Sequence, residues 1–136
     1  MDRRTVRYVG AAAAIAMAAI YGLIGIGVLQ VVDPAATTAG DAPDMLVFGG
    51  GAGAMFLVGA VLLATTDRRI LWVGGAILQV LVAAMYVSVS QTRTPPFELW
   101  GITLRLIQVP LFAALVYLAW RRPEARVAAT GRSAGA

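Results

Sequence analysis

The sequence predicts an all-α fold, an integral membrane four-helix bundle that forms a single transmembrane domain over residues 1–136. Three observations predict this fold. Of the 136 residues, 60% are hydrophobic and only 13% are charged, which is too little polar surface for a water-soluble domain. Four apolar segments each reach the roughly 20 residues that a helix needs to cross a bilayer. The basic residues fall between these segments in a pattern that an even number of crossings explains.

The four predicted spans follow one another with short polar connections. They cover about residues 8–32, 45–66, 70–89 and 97–120. Asp33 and Pro34 end the first span, and Asp44 is placed to cap the N-terminus of the second. The connection between the second and third spans is very short, which predicts that these two spans are antiparallel neighbours. The tail at 121–136 is predicted to be disordered.

The basic residues predict the orientation of the chain. All of them are arginine, a bias that we interpret as typical of a prokaryote with a GC-rich genome. Four crossings bring most of them to one side of the membrane: Arg3, Arg4, Arg7, Arg68, Arg69, Arg121, Arg122, Arg126 and Arg132. Because cytoplasmic loops carry an excess of basic residues, we expect a multi-pass protein of the cell (plasma) membrane with both termini cytoplasmic. We interpret these arginines as topology anchors and expect no nucleic acid partner.

Small residues predict where the helices approach one another, because lipid removes the hydrophobic drive between helices and contact depends on small side chains. Gln79 and Gln108 lie near the middles of antiparallel spans, where their amides are expected to meet in an interhelical hydrogen bond. The predicted helix-packing residues are Gly10, Ala14, Ala18, Gly22, Gly50, Ala54 and Gln79. These faces are expected to pack within one bundle or, alternatively, against a second copy or other membrane proteins.

Arg105 interrupts the apolar fourth span about 9 Å from its outer end, at 1.5 Å per residue. Its guanidinium group either snorkels to outer headgroups and water, pairs with Glu98 or Asp33, or binds an anionic ligand or lipid headgroup. The glycine-rich run at 49–53 allows a packed helix or an unwound stretch that lines a cavity. The candidate ligand-binding residues are Arg105, Glu98, Gln108, Gln30, Tyr86, Gly49 and Gly53.

Aromatic side chains flank the predicted spans. Tyr8, Trp72 and Trp120 lie at the predicted cytoplasmic ends, and Phe97 and Trp100 lie at the outer end of the fourth span. Tryptophan and tyrosine are enriched at membrane interfaces. We therefore expect these rings to form an aromatic belt at the lipid headgroups.

The residue types argue against catalysis. The chain contains no cysteine and no histidine, so it has no thiolate and lacks the commonest general base, the commonest zinc ligand and the usual haem ligand. The predicted spans also contain no aspartate and no lysine. We predict no enzymatic activity, no cofactor and no metal site.

Two main functional hypotheses follow from the sequence. The first is a non-catalytic accessory or scaffold subunit that associates with other membrane proteins through glycine-rich helix faces. The alternative is a small oligomeric transporter or channel that binds an anionic ligand or a lipid headgroup near Arg105. A holin-like or viral envelope protein is a third hypothesis. In each case the expected partners are membrane lipids and either other membrane proteins or further copies of the chain.

Overall fold

The computed structural model describes residues 2–29, 42–91 and 99–121, which are helical over most of their length. The helices are α1 (Arg3–Gly25), α2 (Ala42–Thr65), α3 (Arg69–Ser90) and α4 (Leu99–Trp120). Each is long and apolar enough to cross a membrane. The prediction of an all-α fold with four helices of membrane-spanning length is therefore confirmed within these residues. The predicted disordered tail, from residue 122 onward, lies outside them.

Both ends of α1 differ from the predicted span at 8–32. The helix begins at Arg3 because Asp2 acts as its N-cap, with its carboxylate accepting a hydrogen bond from the Arg4 amide. It ends at Gly25, after which Gly27 adopts a φ of 76°. The Val28 amide bonds to the carbonyl of Leu23, five residues back, which is the pattern of a Schellman motif. Backbone geometry, and not loss of hydrophobicity, ends this helix.

α2 and α3 begin close to their predicted starts. α2 begins at Ala42, so Asp44 lies within its first turn and is not the N-cap that the sequence predicted. α3 runs from Arg69 to Ser90, against a predicted span of 70–89. α4 runs from Leu99 to Trp120, against a predicted span of 97–120.

The Arg7 side chain of α1 caps the C-terminus of α2. Its Nε donates to the carbonyl of Leu63 at 2.8 Å, and its Nη2 donates to the carbonyl of Ala64 at 2.7 Å. The last four carbonyls of a helix have no partner within the helix, and a cation there also opposes the negative end of the helix dipole. The first turns of α1 are thereby fixed beside the last turn of α2.

Arg3 extends the same contact to the other helices. Its guanidinium donates to the Asp67 carboxylate in the α2–α3 turn at 2.6 Å and to the Arg121 carbonyl after α4 at 2.5 Å. The N-terminus of α1, the α2–α3 turn and the C-terminus of α4 therefore lie at one end of the bundle, and successive helices alternate in direction. This end, which we call the arginine-rich end, includes Arg3, Arg4, Arg7, Arg68, Arg69 and Arg121.

Glycines bring α1 and α2 into backbone contact. A Cβ added at Gly49 would lie 2.5 Å from the Cα of Gly25, and one added at Gly53 would lie 3.2 Å from the Ala18 carbonyl oxygen. A Cβ atom essentially never lies as close as 2.5 Å to a backbone atom in a real structure. The run at 49–53 is a regular part of α2, so it is not unwound. Its glycines let two helices approach more closely than any other residue allows.

The helices pack in the order α2, α1, α4, α3. Extensive contacts join α1 to α2, α1 to α4, and α3 to α4, whereas α2 and α3 are not extensively packed within the described residues. The second and third spans run antiparallel as predicted, but the prediction that they are neighbours is wrong for their packing, although only Thr66, Asp67 and Arg68 separate them in the chain. α2 packs against α1, and α3 packs against α4. A cleft separates α2 from α3 along their length.

The predicted packing residues divide between buried and exposed positions. Gly10, Ala14 and Ala18 are buried in the core, and the Gly22 amide lies next to Gly53. Gln79 is buried at the α3–α4 contact. Gly50 and Ala54, by contrast, lie on the exposed face of α2, although the Gly50 amide also approaches Gly25.

Replacing Gly49 by alanine is expected to lower the free energy of unfolding by about 1–3 kcal/mol, because the new methyl group overlaps the α1 backbone. The measurement is unfolding in detergent micelles by increasing denaturing detergent, followed by circular dichroism. Gly51→Ala is the matched control, because nothing lies within 4 Å of a Cβ added there. Equal stability of the two variants would contradict backbone contact between α1 and α2.

Candidate functional site

A cleft with a volume of about 730 Å³ lies between α2 and α3. α2 and α3 form its walls, and α1 and α4 contribute to its floor. It extends along α3 from Ile70 to Tyr86, which corresponds to about 24 Å at 1.5 Å per residue. Its lining is apolar except for a few side chains: Tyr21, Trp72, Gln79, Tyr86 and Arg105.

Arg105 lies at the end of the cleft farthest from the arginine-rich end. Its guanidinium group is held between two tyrosines from different helices. Nη2 donates a hydrogen bond to the Tyr21 hydroxyl at 3.3 Å, and the guanidinium carbon lies 4.9 Å from the centre of the Tyr86 ring. The second contact is a cation–π interaction. The side chain is thus oriented by two aromatic rings, neither of which carries a charge.

The guanidinium group of Arg105 retains unused hydrogen-bond donors. Nε and Nη1 are both buried and have no hydrogen-bond partner among the described residues. A buried donor without a partner costs about 1–3 kcal/mol, and more when the group is charged. The arrangement therefore holds a partly buried cation at the cleft, and two of its nitrogen atoms have no partner among the described residues.

Gly101 allows Tyr86 to reach this position. The Tyr86 ring packs directly against the Cα of Gly101, where any side chain would overlap the ring and its hydroxyl group. Gly101 lies one helical turn before Arg105 on α4, so the ring that covers the glycine also lies beneath the guanidinium group. The Tyr86 hydroxyl is itself buried and has no hydrogen-bond partner within the described part of the chain.

Tyr21 is a site residue that the sequence analysis missed. Its ring stacks on Phe56 with centroids 5.5 Å apart and meets the edge of Phe48 at 6.0 Å, so α2 fixes its orientation. Its position, three and seven residues after Ala18 and Ala14, places it on the same buried face of α1. A tyrosine on a buried helix face requires a partner for its hydroxyl group, and that requirement was the available signal.

Gln79 and Gln108 lie at the α3–α4 interface as expected, but their amides do not pair with each other. The Gln108 Nε2 donates to the backbone carbonyl of Gln79 at 2.5 Å. Both side chains are 5% exposed, and both side-chain oxygens lack a hydrogen-bond partner among the residues described. Gln79 lines the cleft, whereas Gln108 does not. The carboxamide of Gln108 therefore joins two helices.

Trp72 differs from the predicted aromatic belt. Tyr8 and Trp120 are exposed as a belt requires, but Trp72 is only 1% exposed and lines the cleft. Its indole Nε1 has no hydrogen-bond partner in the described ranges. The belt prediction is wrong for this residue, because α3 turns Trp72 toward the gap that the separation of α2 and α3 leaves open.

The remaining candidate ligand residues either lie away from the cleft or lie outside the described residues. Gly49 and Gly53 lie at the α1–α2 contact and do not line it. Glu98, Gln30 and Asp33 lie outside the described residues. Comparisons with known protein families, with curated proteins and with solved protein structures found no match.

Replacing Arg105 by leucine is expected to leave the free energy of unfolding within about 1 kcal/mol of the wild-type value or to raise it, because the charge is partly buried with few partners. Arg7→Leu is the matched control and is expected to lose about 1–3 kcal/mol with its two carbonyl contacts. Both are measured by denaturing-detergent titration. A loss of several kcal/mol in Arg105→Leu, reproduced in Glu98→Gln, would instead identify a structural ion pair.

Proposed function

We propose that this chain is a non-catalytic, multi-pass membrane protein that binds an anionic amphiphile in the cleft between α2 and α3. The anionic head lies against Arg105, and the hydrocarbon chain lies along the apolar walls. The observation that carries the proposal is the position of Arg105 at one end of an otherwise apolar cleft, where two of its nitrogen atoms have no hydrogen-bond partner among the described residues. Both termini are placed in the cytoplasm, because the arginine-rich end then lies on the side that basic residues prefer.

The outer surfaces of the helices support a lipid environment. Large apolar side chains are exposed on α2, α3 and α4, including Val47, Ile70, Met85 and Leu106. Water-soluble monomers rarely expose contiguous apolar patches of more than a few hundred Å². In a bilayer the same side chains face acyl chains. The described charged side chains are concentrated at the arginine-rich end, and Arg105 is the exception that the binding proposal uses.

The chemistry of Arg105 favours a carboxylate or a phosphate as the head group. A guanidinium group presents its donors in a planar fork that matches two oxygens of either anion. Nη2 has a second hydrogen besides the one it donates to Tyr21, and this hydrogen completes such a fork with one of the two nitrogen atoms, Nη1 or Nε, that have no partner among the described residues. The surrounding apolar walls strengthen the attraction, because charges interact more strongly where water is excluded.

The length and the lining of the cleft suit a hydrocarbon chain. The cleft extends about 24 Å along α3, and most of its lining is apolar. Its volume of about 730 Å³ lies within the roughly 300–1,000 Å³ of small-molecule sites. A single acyl chain is long and apolar, as the cleft is. Transport of the bound anion, the other part of the transporter hypothesis, stays a prediction from the sequence.

The proposal is tested with a protein that keeps Trp72 as its one tryptophan, through Trp100→Phe and Trp120→Phe, in nanodiscs of zwitterionic lipid. A brominated fatty acid is expected to quench Trp72 fluorescence as its chain enters the cleft. Arg105→Gln is expected to weaken the apparent affinity about 10- to 100-fold, the equivalent of one charge-assisted hydrogen-bonded contact. Quenching by the corresponding brominated alcohol, which carries no charge, should not change with this substitution.

Steric blocking provides the second arm of this experiment. A Cβ added at Gly74 meets nothing within 4 Å, and Gly74 lines the cleft, so Gly74→Leu fills the cleft without disturbing a helix contact. It is expected to abolish saturable quenching. Gly51→Leu, on the outer face of α2, is the matched control and should bind as the wild type does. Identical quenching in both variants would rule out the cleft as the acyl site.

An accessory role is a second candidate, and the outer face of α2 favours it. Gly50, Gly51 and Ala54 are exposed there, and small residues allow a partner's helix to approach closely. After mild solubilisation, we expect co-purification of a membrane partner at fixed stoichiometry, with loss of that partner in Ala54→Leu. Ala84→Leu, at an exposed position of α3, is the control. Recovery of a clean homo-oligomer, or equal partner recovery with both variants, would contradict this role.

A further inference from the structure

We propose that the arginine-rich end of the bundle contains a separate binding site, which takes the phosphate group of an anionic membrane phospholipid. The site is a cavity of about 330 Å³ between the first turns of α1 and the end of α2. Its lining includes Arg4, Arg7 and Tyr8 of α1 and Ala64 of α2. It lies at the opposite end of the bundle from Arg105, so the inference does not rest on the proposed function.

Arg7 contributes a hydrogen-bond donor that the fold does not use. Its Nε and Nη2 donate to the carbonyls of Leu63 and Ala64, whereas its Nη1 makes no hydrogen bond among the described residues. The side chain is half-buried, but Nη1 keeps surface that is accessible to solvent. Because the two carbonyl contacts fix the guanidinium group, this accessible nitrogen is held in place at the cavity.

Arg4 contributes an accessible cation to the same cavity. It is exposed and forms no ion pair within the described ranges. Its guanidinium carbon lies 5.7 Å from the centre of the Tyr8 ring, a cation–π contact that orients the side chain. Arg4 and Arg7 are three residues apart, so they are neighbours on one face of α1. Two guanidinium groups from one helix face therefore line one cavity.

The charges around the cavity favour an anion. Asp67 also lines it, but its carboxylate is paired with Arg3 at 2.6 Å. The other carboxylate in the lining belongs to Asp2, which accepts a hydrogen bond from the Arg4 amide as the N-cap of α1. Arg4 and Arg7 thus leave an excess of positive charge over Asp2. Further arginines at this end of the bundle add to the positive potential.

Two guanidinium groups favour phosphate over carboxylate. One planar fork already matches the two oxygen atoms of a carboxylate. A phosphate group has additional oxygen atoms, so it can accept hydrogen bonds from a second guanidinium group at the same time. The cavity volume lies at the lower limit of small-molecule sites, which suits a head group and not a whole lipid.

Exposed apolar side chains extend from the cavity toward the middle of the bundle. On α1, Ala12 and Ile15 follow Tyr8 at spacings of four and seven residues and are exposed on the same face. On α2, Val61 is exposed one turn before Ala64. The acyl chains of a phospholipid whose phosphate occupies the cavity would lie against these side chains. A soluble phosphate would leave them uncovered, so the surface favours a lipid.

The test is native mass spectrometry of the full-length protein, released from uncharged detergent and titrated with phosphatidylglycerol that carries two sixteen-carbon chains. Saturable binding is expected, and Arg4→Gln is expected to weaken the apparent affinity about 5- to 10-fold. Arg4 is replaced because Arg7 also caps α2. Absence of saturable binding to the wild-type protein would overturn the inference.

Arg69→Gln is the matched control for charge. It removes one exposed arginine from the same end of the bundle, and Arg69 does not line the cavity. It is expected to change the affinity by less than about two-fold, because attraction between exposed charges without direct contact is weak. Equal weakening in Arg4→Gln and Arg69→Gln would show a general attraction to the basic end and would overturn the site.

Two competitors identify the part of the lipid that is recognised. Inorganic phosphate is expected to displace phosphatidylglycerol only at a concentration about 100-fold higher or more, because it lacks the apolar chains. Displacement at equal concentration would show a site for soluble phosphate and would overturn the assignment to a lipid. Diacylglycerol with the same chains lacks the phosphate and is expected to compete poorly. Competition equal to that of phosphatidylglycerol would overturn recognition of the phosphate.

Repeating the titrations in Arg105→Gln protein separates this site from the cleft. The difference between Arg4→Gln and Arg69→Gln is expected to persist, because the two sites lie at opposite ends of the bundle. Loss of that difference would place the lipid at the cleft and refute the second site. Failure of fatty acid binding at the cleft, with the Arg4 effect intact, would refute the proposed function alone.

Discussion

The backbone contact between α1 and α2 is the constraint on which the rest of the structure depends. Gly49 of α2 lies directly against Gly25 of α1, and no side chain fits between them. Helices in lipid gain stability chiefly from such close packing, so α2 is bound to α1 and not to α3, its neighbour in the chain. α3 is held to α4 by the Gln108 hydrogen bond and by Leu115, which covers Gly75. The cleft is the space that these two pairings leave open.

Two kinds of arginine contact give the two ends of the bundle different roles. At the arginine-rich end, Arg3 and Arg7 donate to carbonyls and to Asp67, and so connect α1, α2 and α4. Arg105 has one long hydrogen bond and one ring contact, and two of its nitrogen atoms have no partner in the described ranges. The contacts of Arg3 and Arg7 are accounted for by their contribution to the stability of the bundle. Arg105 carries a desolvation cost that the described contacts only partly offset.

Hydropathy predicted the helices but not their arrangement. The spans were found because crossing a bilayer requires a continuous apolar run, which is a property of the chain in one dimension. The end of α1 at Gly25 was missed, because the Schellman motif around Gly27 stops a helix within a sequence that stays apolar. The pairing of α2 with α1 was missed for a related reason. α2 is apolar on every face, so its sequence does not show which face packs, and only the glycine run indicated a close contact.

The sequence does not show which helix faces pack together, and this also limited which residues of the candidate site it could identify. Arg105 stood out because a charge in an apolar span is conspicuous whatever it contacts. Tyr21 and Trp72 did not, because an aromatic residue in a membrane helix has the same composition signal whether it faces lipid, a partner helix or a cavity. Their role depends on the direction of one face of α1 and one face of α3, and those directions follow from the pairing of helices. The cleft and its lining are therefore a property of the assembled bundle. A ligand that bound in the cleft would contact several helices together, and its binding would stabilise the arrangement that creates the cleft.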